Sequence, residues 1–522
     1  MEISKNISIQ RLITLYGENQ IRRQEKGGLP YLGRAIFDMW QSNEVCEAAD
    51  LYEKYSLSSN LQIEGFDTPK GSKIRLGGGS PAKFPAYKGA IKRVIKLLNN
   101  ENFSNYPLAA GAEKDRKIVL SYLTKLGIKN NNPYSNSQIN ESGLSLNNII
   151  FTNSSTQAYT FVLDSIIDYG DVILITSPNY GLFIFNPERL GGKVRLIKLE
   201  KQYDWLIHPV MLEKRIAEIN LELNNDFYKN KDKYYLRRSE QPPKVIAFLN
   251  MNPHNPTGKV YGKDRIQLLK QIGKVCLDKG VFIIDDLVYR ELTFDQSNKA
   301  VPLSTLPGMF SNTITLFSLS KAFGLAAFRS GMIVADEVIV SLVRDKIFQQ
   351  TDSLSVIQSA AIAGTFNTNS NSLETYSKKI TKEYKIRYNL VKAMCEGLDS
   401  IDEVYKNEIK EIIINCSYKR NKEILNGIKN LQIVNKLEPE SGFFVILDFT
   451  KYKGKSYKGF KIIDDDTLLK FLYTTGNIKL LTGTAFCWPN KEEIVARITF
   501  ALERKKLINS LYRLKSCLYL LK

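Results

Sequence analysis

A lysine flanked by hydroxyl groups is the first residue in this sequence to suggest chemistry. Residues 318–325 read Ser-Leu-Ser-Lys-Ala-Phe-Gly-Leu, with Lys321 as the lysine, and Arg329 follows it by eight residues. Most lysines are solvated surface groups, so a lysine that directly follows an apolar run, here residues 313–317, is unusual. Its amine could form a Schiff base, while the hydroxyls and the guanidinium could bind a phosphate.

Two further polar segments follow apolar runs. Residues 252–258 read Asn-Pro-His-Asn-Pro-Thr-Gly, a rigid extended turn that would give the Asn255 amide a fixed direction. Residues 285–289 read Asp-Asp-Leu-Val-Tyr, and a carboxylate at the end of a buried strand could hold a proton on a heterocyclic nitrogen. Each segment also has a structural interpretation, as ordinary loop geometry in the first and as a helix cap in the second.

Two other segments could bind parts of a ligand. Residues 152–158 read Thr-Asn-Ser-Ser-Thr-Gln-Ala, and hydroxyls at the start of a helix either cap it or bind an anion together with its free N–H groups. Tyr180 comes just after another apolar run and could lie on a planar ligand. An amine, a carboxylate, an amide, an aromatic ring and a phosphate site are together what pyridoxal 5′-phosphate requires.

The apolar runs predict the elements that bring these groups together. Because the runs are continuously apolar, we expect strands covered on both faces, as in a mostly parallel central sheet of an α/β protein. Open α/β sheets bind ligands at the carboxyl ends of their strands, which is where the polar segments begin. The predicted strands are residues 148–151, 171–176, 244–249, 281–284, 313–317 and 331–334, with a helix at 154–168 between the first two.

Composition excludes several other classes of protein. Lys and Arg exceed Asp and Glu by 73 to 54, but the excess is spread along the chain, which is typical of a solvated surface rather than of a nucleic-acid site. Six cysteines without a CxxC pair, and only two histidines, disfavour a disulfide scaffold, a metal centre and a histidine-based triad. No apolar run approaches the roughly 20 residues that span a bilayer. We therefore predict a cytoplasmic protein with no metal, membrane or nucleic-acid partner.

The pattern along the 522 residues predicts two domains. Residues 105–370 would form the large cofactor-binding domain and 371–522 a smaller α+β domain, to which an N-terminal extension, 1–104, would contribute. The polar region 220–241 has the appearance of an excursion with little to bury. The C-terminal leucines have helical spacing and predict a helix that packs on its own domain; they are Leu507, Leu511, Leu514, Leu518 and Leu521.

In their order and spacing, these motifs resemble a known family over roughly residues 75–505. The chain is similar to the class I/II aminotransferases of the aspartate aminotransferase superfamily, the fold type I enzymes that use pyridoxal 5′-phosphate. The resemblance implies amino-group transfer between an amino acid and a 2-oxo acid, in a homodimer with shared active sites. It leaves two alternatives open: a lyase, decarboxylase or cyclising enzyme with the same cofactor, or a non-catalytic regulator that binds it.

The resemblance also implies roles for single residues. Lys321 matches the lysine that binds the cofactor covalently and carries the proton of the reaction. Asp286 matches the acid that keeps the pyridine nitrogen protonated, and Asn255 and Tyr289 match the donors to the ring 3′-oxygen. The phosphate binders correspond to Ser154, Ser155, Thr156, Ser318 and Arg329, and the ring that stacks on the cofactor corresponds to Tyr180.

Three further positions correspond to substrate or partner contacts. Arg497 matches the arginine that binds the substrate α-carboxylate, a bidentate task that suits a guanidinium, and Asn255 is a second substrate contact. Gly79 matches the glycine loop that closes over the substrate. Tyr106 matches the tyrosine that reaches the phosphate of the neighbouring subunit. No second arginine marks a site for a side-chain carboxylate, so the sequence does not support a dicarboxylic substrate.

Overall fold

The computed structural model describes residues 61–67, 71–81, 84–100, 103–130, 143–367, 372–416, 426–435 and 437–522. Most of the predicted N-terminal extension, residues 1–60, lies outside these ranges. The strands are β1 (Ile74–Arg75), β2 (Ile149–Thr152), β3 (Val172–Ser177), β4 (Lys193–Lys198), β5 (Val245–Met251), β6 (Phe282–Asp286), β7 (Thr313–Ser318), β8 (Gly331–Val334), β9 (Gln432–Ile433), β10 (Phe444–Asp448), β11 (Ser456–Tyr457), β12 (Phe460–Lys461), β13 (Ile478–Lys479), β14 (Leu481–Thr482) and β15 (Val495–Thr499).

Helices cover the sheets and connect their strands. They are α1 (Lys88–Asn100), α2 (Glu113–Leu126), α3 (Ser154–Ile166), α4 (Gly181–Phe185), α5 (Pro209–Lys229), α6 (Ile266–Asp278), α7 (Glu337–Thr351), α8 (Val356–Thr365), α9 (Ser372–Glu396), α10 (Glu403–Cys416), α11 (Asp465–Gly476) and α12 (Arg504–Leu518). No helix in the described ranges is long and apolar enough to cross a bilayer.

A seven-stranded sheet in the order β2-β8-β7-β6-β5-β3-β4 forms the centre of the molecule. Its pairs are parallel except those of β8, which runs antiparallel to β2 and to β7. The mostly parallel sheet is confirmed, whereas β4 was not predicted and the direction of β8 is a departure. The carboxyl ends of the parallel strands and the amino end of β8 therefore lie at one edge.

Both faces of this sheet are covered, which explains the continuous apolar runs. Ile173 and Ile175 of β3 pack in one core cluster with residues of α3 and α7. Val172 and Leu174, which alternate with them, pack in another cluster with residues of α5 and α6. Alternate side chains of one strand thus enter opposite cores, as the pleat requires.

A second, antiparallel sheet in the order β14-β15-β10-β9 belongs to the smaller α+β part of the chain. The short strand β1 pairs in parallel with β13, joining Ile74 to Ile478, so the segment before the large sheet packs with the C-terminal part. Helix α12 buries its leucines, which confirms the predicted packing of the last helix.

The prediction that residues 220–241 have little to bury is wrong. Helix α5 runs through the first half of this region and buries Leu223 and Phe227, and Tyr234 beyond it is buried too. Leu223 and Phe227 continue the apolar face of the helix that includes Ile216 and Ile219, at steps of three and four residues. Residues 452–466 include the hairpin of β11 and β12.

Candidate active site

A cavity of about 290 Å³ lies at the edge where the strands of the large sheet end. It brings together most residues that the sequence singled out, and two strands of the smaller sheet contribute to it, β10 through Phe444 and β15 through Arg497. The predicted residues that line it are Gly79, Ser154, Ser155, Thr156, Tyr180, Asn255, Asp286, Tyr289, Lys321, Arg329 and Arg497.

Lys321 follows the end of β7 and reaches across the cavity to the glycine loop. Its Nζ donates a hydrogen bond to the carbonyl oxygen of Gly79 at 2.5 Å. Burial lowers the pKa of Lys321 to about 8, the charges of Arg497 and Arg329 act in the same direction, and Asp286 opposes them. A lysine whose pKa is lowered in this way is more often neutral, and the neutral amine is the nucleophile.

Asp286 is the last residue of β6 and faces the cavity with only 3% of its surface exposed. Its Oδ1 accepts a hydrogen bond from the Val288 N–H at 3.1 Å. Burial raises the pKa of Asp286 to about 7, with a further increase from the charge of Asp285 and a decrease from Lys321. A cation bound beside this carboxyl would restore its charged form.

The neighbouring Asp285 points to the other face of the sheet and does not line the cavity. It accepts hydrogen bonds from the Asn250 side chain at 2.7 Å and from the Leu303 N–H at 2.8 Å. Adjacent strand residues face opposite sides, so only one carboxylate of the pair reaches the site.

Arg497 of β15 brings a guanidinium to the opposite wall. It is 4% exposed, and its Nη1 donates to Oδ1 of Asn255 at 2.9 Å while Nη2 donates to the carbonyl of Gly77 at 2.8 Å. The guanidinium carbon lies 4.0 Å from the centroid of the Phe444 ring. The Asn255 and Gly77 oxygens thus occupy the two Nη donors to which both oxygens of a carboxylate could bind.

His254 fixes the turn that carries Asn255. Its Nε2 lies 2.8 Å from Oγ1 of Thr176 on β3, and its Nδ1 lies 2.8 Å from Oγ1 of Thr257. Burial lowers the pKa of His254 to about 3, so the ring is neutral at physiological pH. This histidine is a positioning residue for Asn255 rather than an acid or base of the site.

The first turn of α3 lines one end of the cavity. Ser154, Ser155 and Thr156 begin this helix, whose free N–H groups and dipole favour a negative charge. Arg329, in the left-handed conformation at φ 50°, lines the same end, and its carbonyl accepts from the Gln358 side chain at 2.7 Å.

Ser318 does not line the cavity, although the sequence singled it out. Its Oγ accepts a hydrogen bond from the Ser320 N–H at 3.2 Å, and the carbonyl of Ser330 lies 3.4 Å from it. Ser320 lines the cavity in its place. The sequence indicated that a hydroxyl near Lys321 would line the site, but the path of the loop determines which of the two serines faces the cavity.

Two tyrosines contribute rings to the site. Tyr180 precedes α4, and its ring meets that of Phe183 edge-on, with centroids 5.7 Å apart. Tyr289 packs edge-on against Phe443 and Phe444 at 5.7 and 6.0 Å. Burial raises the pKa of Tyr289, which keeps its phenol protonated and able to donate a hydrogen bond.

Tyr106 is the second predicted residue that does not line the cavity, and its side chain is 87% exposed. Several lining residues were not predicted, and Phe444 is the most important because it covers Arg497. The type of this residue indicates burial but not a site. The other unpredicted lining residues are Gly77, Leu182, Phe183, Met251, Val288, Ser320 and Ala326.

The donors around the cavity fit pyridoxal 5′-phosphate. A partly neutral amine at Lys321 suits its aldehyde, a carboxyl at Asp286 suits its ring nitrogen, and hydroxyls at a helix start suit its phosphate. An amide and a phenol remain for its ring oxygen, at Asn255 and Tyr289. No group of this set conflicts with the cofactor.

Comparison with known proteins agrees with this chemistry. The family profile described as aminotransferase class I and II matches residues 73–513. The probable aspartate/prephenate aminotransferase of Aquifex aeolicus is 21% identical over 88% of this chain and 93% of its own length. The aspartate aminotransferase of Pyrococcus horikoshii is 22% identical over 85% and 90% of the two chains.

A solved structure has the same fold. The aspartate aminotransferase from Rhizobium meliloti superposes with a TM-score of 0.65 and 18% identity, over 86% of this chain and 92% of its own. The chain therefore belongs to the class I and II aminotransferases, fold type I enzymes that depend on pyridoxal 5′-phosphate and transfer an amino group between an amino acid and a 2-oxo acid.

Proposed function

We propose that the cavity around Lys321 is the site at which this chain performs amino-group transfer. The observation that carries the proposal is the convergence of Lys321, Asp286 and Arg497 on one cavity, although they lie on the loop after β7, on β6 and on a strand of the smaller sheet. An amine, a buried carboxyl and a carboxylate receptor are the three groups that the reaction requires.

The protein's residues divide the work around the cofactor. When bound, pyridoxal 5′-phosphate supplies an electron sink for the bond broken at the substrate Cα. Lys321 would hold the cofactor through Nζ, and its amine in the neutral form would take the proton from the substrate Cα. Asp286 would keep a proton on the ring nitrogen, and Asn255 and Tyr289 would donate to the ring oxygen.

Arg497 binds the α-carboxylate of the substrate. The carboxylate replaces the Asn255 and Gly77 oxygens at the two Nη atoms, and Phe444 shields the guanidinium face from water. Bidentate geometry fixes the direction in which the Cα–H bond points, and hence its position relative to the Lys321 amine.

Replacing Arg497 with lysine tests this role, because it keeps the charge but removes the fork. We expect KM for the amino acid to rise about 10- to 100-fold, since a hydrogen bond to a charged group contributes about 1.5 to 3 kcal/mol. Steady-state kinetics would measure it, with Arg344→Lys at an exposed position of α7 as the control. An unchanged KM would exclude Arg497 as the carboxylate receptor.

We also propose a homodimer in which each subunit completes the active site of the other. Tyr106 is exposed in the single chain, and Phe103 and Leu108 near it are 48% and 57% exposed. A cluster of exposed apolar side chains is typical of an interface. In this arrangement Tyr106 donates to the phosphate bound in the partner's cavity.

A cytoplasmic location is part of the same proposal. The free cysteines of the described residues are consistent with a reducing compartment.

A hybrid dimer distinguishes shared sites from separate ones. One subunit would carry Lys321→Ala and the other Tyr106→Ala, two variants that are each impaired alone. With shared sites, one cavity of the hybrid contains neither substitution, so activity should recover to about half that of the unaltered dimer. With separate sites, every cavity contains a substitution, and activity would not exceed that of the better parent.

A further inference from the structure

A second cavity, of about 1240 Å³, lies where α1 and α9 begin. None of the residues that line the active site lines it. Phe84, Tyr87, Ile380 and Ile386 give it apolar walls, and charged side chains of α1 and α9 surround them. We call it the basic cavity.

The charges around the basic cavity are mostly positive. Eight lysine and arginine side chains line it, against only Glu383 and Glu408. The five lysines among them form no ion pair with an acidic side chain of the described residues; they are Lys88, Lys92, Lys96, Lys379 and Lys382. Like charges held along one concave surface repel one another and raise the local concentration of anions.

A buried arginine adds to this excess. Arg387 is 7% exposed, and its Nε donates to Oε1 of Glu383 at 2.8 Å. Arg504 binds both oxygens of the same glutamate, at 3.0 and 2.5 Å. One carboxylate thus serves two guanidinium groups, and the buried Nη1 of Arg387 has no hydrogen-bond partner in the described part of the chain. A buried charge with incomplete compensation is costly, and a bound anion would reduce this cost.

The amino-terminal ends of two helices also favour a bound anion in the basic cavity. Helix α1 begins at Lys88 and α9 at Ser372, and both residues line the basic cavity. The hydroxyls of Tyr87 and Ser372 lie 2.6 Å apart and join the two helix ends. The positive ends of two helix dipoles therefore add to the charge of the side chains.

We propose that the basic cavity binds a phosphorylated organic anion with an apolar body, of about the size of a nucleotide. The lysines and helix ends suit its phosphates, and the aromatic and aliphatic walls suit its body. The volume is sufficient for such a molecule, because sites for small ligands usually measure about 300 to 1,000 Å³. This ligand differs in class from the amino acid and the 2-oxo acid, so the site is additional to the one that performs amino transfer.

Calorimetric titration of the enzyme loaded with pyridoxal 5′-phosphate tests the proposal. The probe is ATP without divalent cations, and tripolyphosphate and adenosine represent its two halves. We expect a Kd for ATP at least about tenfold below that for either half, because the cavity binds both. The double variant Lys92→Glu/Lys382→Glu should raise the Kd for ATP at least about tenfold by reversing two charges of the rim.

A matched double variant controls for net charge. Lys263→Glu/Lys270→Glu makes the same change of charge at exposed positions around the start of α6 and should leave the Kd for ATP within about twofold. Lys92→Gln/Lys382→Gln, a milder change, should weaken binding in the same direction. Thermal midpoints would verify folding. The proposal fails if ATP does not bind, if both Glu variants weaken it equally, or if tripolyphosphate binds as tightly as ATP.

Discussion

Replacing Lys321 with alanine is expected to abolish amino transfer. The change removes both the covalent attachment of the cofactor and the base at Cα, and loss of a positioned base alone lowers a rate by about a hundred- to ten-thousand-fold. We therefore expect kcat to fall by at least about ten-thousand-fold. The measurement is formation of pyridoxamine phosphate on mixing with an amino acid, which also separates transamination from elimination or decarboxylation.

Lys263→Ala is the control for this experiment, because it removes an exposed lysine far from the cavity. It should leave both the cofactor spectrum and turnover unaltered. If the Lys321 variant kept substantial turnover, another group would have to supply the base, and the assignment of the site would be wrong.

Asp286→Asn should produce the second largest loss. Asparagine has nearly the same shape as aspartate but cannot balance a proton on the ring nitrogen. We expect kcat to fall by about a hundred- to a thousand-fold, the size found when one electrostatic partner of a reacting group is removed. Stopped-flow measurement of the half-reaction would show the loss in the proton-transfer step rather than in substrate binding.

Although Asp286→Asn should lower kcat, it should raise the stability of the cofactor-free protein. Without the cofactor, burial raises the pKa of Asp286 from 3.8 to about 7. Between about pH 4 and 7 the folded protein keeps a proton that the unfolded chain has lost, so the free energy of unfolding falls as pH rises. An amide at this position does not titrate, so the variant would lack this dependence. The cofactor-free Asp286→Asn protein should therefore be more stable than the unaltered protein above pH 7, with little difference near pH 4.

Asp285→Asn provides the comparison within the same strand. Asp285 accepts hydrogen bonds from two donors outside the cavity. The amide group of an asparagine can accept only through its oxygen, so its NH₂ group would face one of these donors and that hydrogen bond would be lost. This variant should lose stability while retaining most of its turnover. Equal losses of turnover at both positions would mean that Asp286 acts only through the fold.

The sequence predicted the centre of the fold because burial on both faces leaves a clear pattern. Strands β3, β5, β6 and β7 are buried almost throughout and mainly apolar, so they could be located without a structure. Strand β4 was missed because Lys193, Arg195 and Lys198 interrupt it, as expected at the edge of a sheet. The direction of β8 depends on the path of the loop that joins it to β7, and no local sequence pattern predicts this path.

The site was predictable where a residue type is itself informative. Lys321, Asp286 and Asn255 each follow an apolar run, and although each segment alone also has a structural interpretation, together they match one cofactor. Ser320 was missed because Ser318, two residues before it, offers the same hydroxyl group. Phe444 was missed because a phenylalanine by itself indicates burial and not a site. Which of two adjacent side chains faces a cavity depends on strand register and loop path, and these follow from tertiary packing.

The most direct test of the account is to find the lysine to which the cofactor is attached. The purified protein would be reduced with borohydride in the presence of pyridoxal 5′-phosphate, digested, and mapped by mass spectrometry. We predict one stoichiometric adduct, on Lys321. An adduct on Lys193 instead, a buried lysine whose pKa is also lowered, to about 7, would contradict the account, as would a scatter of adducts over surface lysines.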